Sequence, residues 1–82
     1  MDMAKVMEYM EEMDSNWLDL MQLCLHEADG ERALAAYILL GLSVNQSSGD
    51  IPKDATDRLL AGLRTRLRSR FGQAMQDVIV DV

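Results

Sequence analysis

The stretch Glu31-Arg32-Ala33-Leu34-Ala35-Ala36-Tyr37-Ile38-Leu39-Leu40-Gly41-Leu42-Ser43-Val44 decides how this 82-residue chain must fold. It predicts a helix over 31–44 that has almost no polar face. A helix that is apolar all round has to be covered on most sides. One short chain has little material for that, so the pattern leads to a symmetric homodimer with this helix near the interface. The apolar run from Ala33 to Leu42 is ten residues long, half of the ~20 that cross a bilayer as a helix. No membrane role is expected.

Upstream, Met3, Val6, Met10, Met13, Trp17, Leu20 and Cys24 step by three and four residues in alternation. That is the seam of an amphipathic helix, narrow as far as Met13 and wider from Trp17, where Leu18, Met21, Leu23, Leu25 and Ala28 add further faces. One helix is predicted over 3–28. Asp14, Ser15 and Asn16 are good N-cap residues at which it could break and restart, but the unbroken heptad phase favours continuity. Asp29 is placed to cap the next helix, and Gly30 to close the first.

Downstream, Asn45-Gln46-Ser47-Ser48-Gly49-Asp50 is rich in turn residues, and a connector over 45–53 is longer than the usual ~2–8 residues of a helical bundle. A third helix is predicted over 54–79, with Asp54 as its cap and Leu60, Leu63, Leu67, Phe71, Ala74 and Val78 on one face. Gly72 is a place where it could bend or stop, and the β-branched tail Val78-Ile79-Val80 could instead form a strand. The expected architecture is all-α: a single domain over residues 1–82, built as a bundle of three to four helices.

Apolar residues make up 49% of the chain and charged residues 27%, too hydrophobic for an obligately disordered segment. A chain this short buries only roughly 60–65% of its unfolded surface, and small domains make up the deficit with disulfides, metals or self-association. A single cysteine, Cys24, allows no internal disulfide, which suits a reducing compartment. With neither a secretory signal nor a basic transit peptide visible near Asp2, Lys5 and Glu8, a cytoplasmic location is expected.

Chemistry is hard to place on these residues. Cys24 and the lone His26 stand two apart and would point to different faces of a helix, so no nucleophile–base pair is expected. His26-Glu27 has no second histidine at zinc-protease spacing, and no Cys or His cluster offers a structural metal site. The run from Leu25 to Ala36 has calcium-loop character only in Asp29-Gly30, because Leu25 and Ala36 occupy its first and last ligand positions. The glycines are scattered without a phosphate-cradling pattern. A helix-turn-helix reading of Leu40-Gly41-Leu42-Ser43 fails, since Tyr37 stands where a small residue is wanted and Asn45, Ser47, Ser48, Gly49 and Pro52 follow. No enzyme, metal or cofactor is expected.

Two charged surfaces remain. Residues 1–31 carry nine acidic groups against the single Lys5, whereas residues 58–70 carry Arg58, Arg64, Arg66, Arg68 and Arg70 with no acid. Six of the seven methionines lie in the first twenty-one residues, and methionine adapts to irregular apolar partners. The leading expectation is a non-enzymatic interaction module, a regulatory adaptor, anti-activator or chaperone-like protein. It would bind a partner protein through Met3, Met7, Met10 and Met13, with Glu8, Glu11 and Glu12 steering a basic surface. The alternative is a nucleic-acid-associated regulator that uses Arg58, Arg64, Arg66, Arg68 and Arg70 on phosphates. Two features oppose it: aromatic residues for stacking bases are missing from that helix except Phe71, and the chain carries a net charge of −6.

Overall fold

The computed structural model describes residues 2–46 and 52–72, and these form four helices: α1 (Met3–Glu12), α2 (Trp17–His26), α3 (Gly30–Gln46) and α4 (Lys53–Phe71). The fold is all-α, and no strand occurs among the described residues.

The predicted helix over 3–28 is two helices. Polar side chains at the break satisfy backbone donors that a continuous helix would have used itself. The Asn16 side chain accepts from the Leu18 amide at 3.0 Å, and Asp14 Oδ1 accepts from the Asn16 amide at 3.3 Å. The Ser43 hydroxyl then donates to the Ser15 carbonyl at 2.8 Å, tying the link to α3. Local capping prevails over periodicity here. The heptad phase nonetheless has a use: Val6 on α1 and Leu20 and Cys24 on α2 are all buried in the same core.

The second junction is drawn tightly as well. Asp29 caps α3 through Oδ1, which accepts from the amides of Glu31 at 3.0 Å and Arg32 at 3.5 Å. Gly30 belongs to α3 as its first residue, and α2 ends earlier, at His26. Its glycine is explained by packing: a Cβ there would stand 3.1 Å from the Phe71 ring, which closes over this corner from α4.

Helix α3 runs two residues further than 44, so Asn45 and Gln46 are helical and not connector; residues 47–51 lie outside the described residues. Helix α4 starts at Lys53, with Pro52 at the N-cap position and Asp54 in the first turn, where it faces the positive end of the helix dipole instead of capping it. The hydroxyl of buried Thr56 donates to the Pro52 carbonyl at 3.1 Å, while the first amides of α4 have no side-chain cap among the described residues. The α-helix ends at Phe71, and the left-handed φ of 69° at Gly72 terminates it. The expected continuation to 79, with Ala74 and Val78 on its face, and the possible tail strand fall on residues 73–82, outside the described residues.

Helix α3 lies at the centre, packed on α2, α1 and α4. Ala33, Leu34, Ala35, Ala36, Tyr37, Leu40 and Val44 are buried there, together with Val6, Leu20, Cys24, Leu63 and Leu67 from the surrounding helices. Each fully buried leucine contributes roughly 1.5–3 kcal/mol of transfer free energy. Alanines at 33, 35 and 36 let the neighbouring helices approach closely. The chain covers most of α3 by itself, with Ile38 and Leu39 half-buried and Leu42 exposed.

Candidate functional site

On α1 the buried edge is formed by Val6, with Tyr9, Met10 and Met13 partly buried beside it. The four methionines of the predicted docking stripe therefore divide. Met10 and Met13 pack against the core, whereas Met3 is 42% and Met7 59% exposed. Residues four apart share a helix face, so Met3, Met7 and Glu11 form one row and Ala4, Glu8 and Glu12 the row beside it. Glu8, Glu11 and Glu12 are all exposed. An apolar strip bordered by carboxylates thus stands on the outside of α1, continuous with the edge that the core consumes.

The orientation of α1 is fixed by a polar cluster at the α2–α3 corner. The Tyr9 hydroxyl donates to Asp29 Oδ2 at 3.1 Å, while Lys5 and Arg32 each lie 5.9 Å from the centre of the Tyr9 ring. Arg32 also pairs with Glu27 at 3.6 Å, and Glu27 Oε1 accepts from the Ala28 and Asp29 amides. The accepting carboxylate raises the Tyr9 pKa. Asp29 is pulled both ways. Desolvation works to raise its pKa, but the hydrogen bonds from Tyr9 and the Glu31 and Arg32 amides, with the charge of Lys5, hold it below the ordinary carboxylate value. The carboxylates of Glu31 and Asp29 help to raise Lys5, after the larger influence of Tyr9. Glu31 Oε2 is buried without a hydrogen-bond partner among the described residues.

The five arginines of α4 also divide. Arg70 is engaged by the fold. Its guanidinium donates to the carbonyls of Leu25 at 3.0 Å and Glu27 at 2.7 Å, satisfying the C-terminus of α2 where the helix dipole favours a cation. It also lies 4.9 Å from the centre of the Phe71 ring. The side chains of Arg58, Arg66 and Arg68 are exposed, Arg64 is half-buried, and none of the four forms an ion pair or hydrogen bond with another described residue.

Two grooves run beside these arginines. The one between α3 and α4, of about 370 Å³, is lined by Tyr37, Ile38, Gly41, Leu42, Leu60 and Ala61 together with the polar Asn45, Asp57 and Arg64. Burial raises the Tyr37 pKa, and the charges of Arg64 and Arg68 act against it. The other groove, of about 330 Å³ between α2 and α4, has Met21, Leu25, Leu59 and Leu63 as its floor and Arg58 and Arg66 as its rim.

The candidate nucleophile stands apart from any base. Cys24 is 2% exposed, and burial pushes its thiol up to about 12, so it stays protonated and unreactive at neutral pH. His26 is exposed at the end of α2. Among the described residues no group of His, Cys, Asp and Glu is arranged to hold a metal ion, and no helix is long and apolar enough to cross a membrane.

Sequence reasoning placed the charged helices but missed Tyr9, Arg70 as a capping residue, and Gly62. The last was visible as a glycine inside a run of good helix formers. No protein-family model, curated protein or solved structure matches this chain.

Proposed function

We propose that this chain is a non-enzymatic, cytoplasmic interaction module that binds a basic partner protein through the outer face of α1. The observation that carries this reading is the exposure of Met3 and Met7 in one row beside Glu8, Glu11 and Glu12. Their packing is not spent on the fold. Methionine side chains fit irregular apolar surfaces, and the carboxylates favour encounter with a cationic helix or patch. Met10 and Met13 contribute by anchoring α1 to the core, which holds the docking face rigid. The test is capture of partners from nuclease-treated lysate by the wild type and by a Glu8→Lys/Glu11→Lys/Glu12→Lys variant of unchanged helicity. A stoichiometric protein held by the wild type and lost by the variant is the expected result. Equal retention by both would sink the steering role of α1.

A second reading has its own support: Arg58, Arg66 and Arg68 are exposed on α4 without an acidic partner among the described residues. An anionic ligand, nucleic acid included, would answer that. Binding to an oligonucleotide that falls steeply with salt and weakens with each Arg→Ala change would favour this reading over the first.

A further inference from the structure

Gly62 lies in the interior of α4, where glycine weakens a helix relative to alanine, and the fold gives no reason for it. A Cβ at this position would meet nothing within 4 Å, unlike Gly30 under the Phe71 ring. Gly62 instead lines the groove between α2 and α4. It is the middle of a row, Arg58–Gly62–Arg66, whose members stand four residues apart on one face. Beside it Met21, Leu25, Leu59 and Leu63 give the groove an apolar floor. The site therefore has an apolar base, an absent side chain that lets another backbone come close, and two cations, unpaired among the described residues, set about 12 Å apart along the helix.

An occupant has to be apolar along one row and acidic along the next. This chain makes such a helix in α1, with Met3 and Met7 in one row and Glu8 and Glu12 in the other, all exposed. Its opposite edge, at Val6, is held in the core of its own subunit.

We propose that the α2/α4 groove receives the α1 face of a second copy of this chain, with Met3 and Met7 over Met21, Leu25, Leu59 and Leu63 and with Glu8 and Glu12 against Arg58 and Arg66. Two copies related by a twofold axis make the contact twice, each giving a helix and a groove. The interface so placed lies on the outer helices and leaves α3 inside each subunit. Because α1 is also the face assigned above to a foreign partner, self-association and partner binding exclude one another at that face. The choice of α1 as occupant rests on that reading.

Sedimentation equilibrium on the full chain tests this directly. The wild type should dimerise at low ionic strength, with a dissociation constant that rises with salt. Arg58→Glu/Arg66→Glu and Glu8→Arg/Glu12→Arg should each weaken the dimer at least tenfold, because each sets like charges across the contact. Mixed one to one, the two variants should pair again, since every helix then meets a groove of opposite charge. Gly62→Leu should abolish self-association while raising the thermal midpoint, a combination that misfolding would not produce. It should also leave α1 free for a foreign partner, so loss of partner binding in α1 variants and loss of dimer in Gly62→Leu report on separate claims. A chain that stays monomeric at all concentrations, a dimer indifferent to both charge reversals, or a mixture that fails to re-pair would overturn the proposal.

Discussion

Helices α3 and α1 are both rich in apolar residues, yet the fold treats them differently. Most apolar side chains of α3 are buried or half-buried against the other three helices; Leu42, at 50% exposure, is the exception. In α1 only Val6 is fully covered, and the apolar surface continues outward through Met3 and Met7. Hydrophobicity on α3 therefore does its work within the chain, while part of that on α1 remains available to another molecule. The two helices should separate cleanly in experiment: changes on α3 move stability, and changes on the outside of α1 move association.

The largest effect is expected from Leu34→Ala, at a fully buried position of α3. It should destabilise the fold by about 2–5 kcal/mol in urea unfolding, through lost burial and the cavity left behind. A cost below about 1 kcal/mol would mean that Leu34 is not enclosed in the core. Next comes Arg70→Ala, which leaves the α2 carbonyls of Leu25 and Glu27 without their donors. A loss of about 1–2 kcal/mol is expected from two charge-assisted hydrogen bonds at an exposed helix end. The equivalent change at Arg58, which binds nothing described, should fall within about 0.5 kcal/mol of wild type.

A smaller effect is expected from acid. The Asp29 pKa is depressed in the folded state, so its contribution is fully present above the unfolded carboxylate value of about 3.9. That contribution is lost as pH falls through the lower folded value. Asp29→Asn keeps one oxygen for capping, offers Tyr9 an amide that donates to the phenol oxygen in place of the accepting Oδ2, and removes the titration. Comparing thermal midpoints at neutral pH and near pH 3, the variant should lose less stability on acidification than the wild type.

Much of this arrangement was legible before any coordinates. The all-helical class followed from periodicity, and the acidic and basic ends from the charge pattern. Val6, Leu20, Cys24, Leu63 and Leu67 occupy the buried faces their spacing implied. The break between α1 and α2 was legible only as a competition, because Asp14, Ser15 and Asn16 favour a cap while the seam through Met13 and Trp17 favours continuity. The caps prevail, and Ser43, 28 residues away, ties the break to α3 by bonding the Ser15 carbonyl. Such long-range contacts are invisible to local patterns. For the same reason Arg70 could not be told from its neighbours along α4: what distinguishes it is the end of α2. The expectation of a dimer near α3 came from counting apolar residues; the small ones among them are covered within the chain, and Leu42 stays exposed. Ala33, Ala35 and Ala36 are fully buried among the other helices.

The division between α1 and α3 is tested most directly by Met3→Ser/Met7→Ser, measured twice on one preparation: unfolding free energy from urea, and affinity for the partner captured through α1. Stability within about 0.5 kcal/mol of wild type, together with at least a tenfold loss of affinity, is the expected result. Unchanged affinity, or a stability loss as large as that of Leu34→Ala, would contradict it, because Met3 and Met7 would then belong to the fold and not to a docking face.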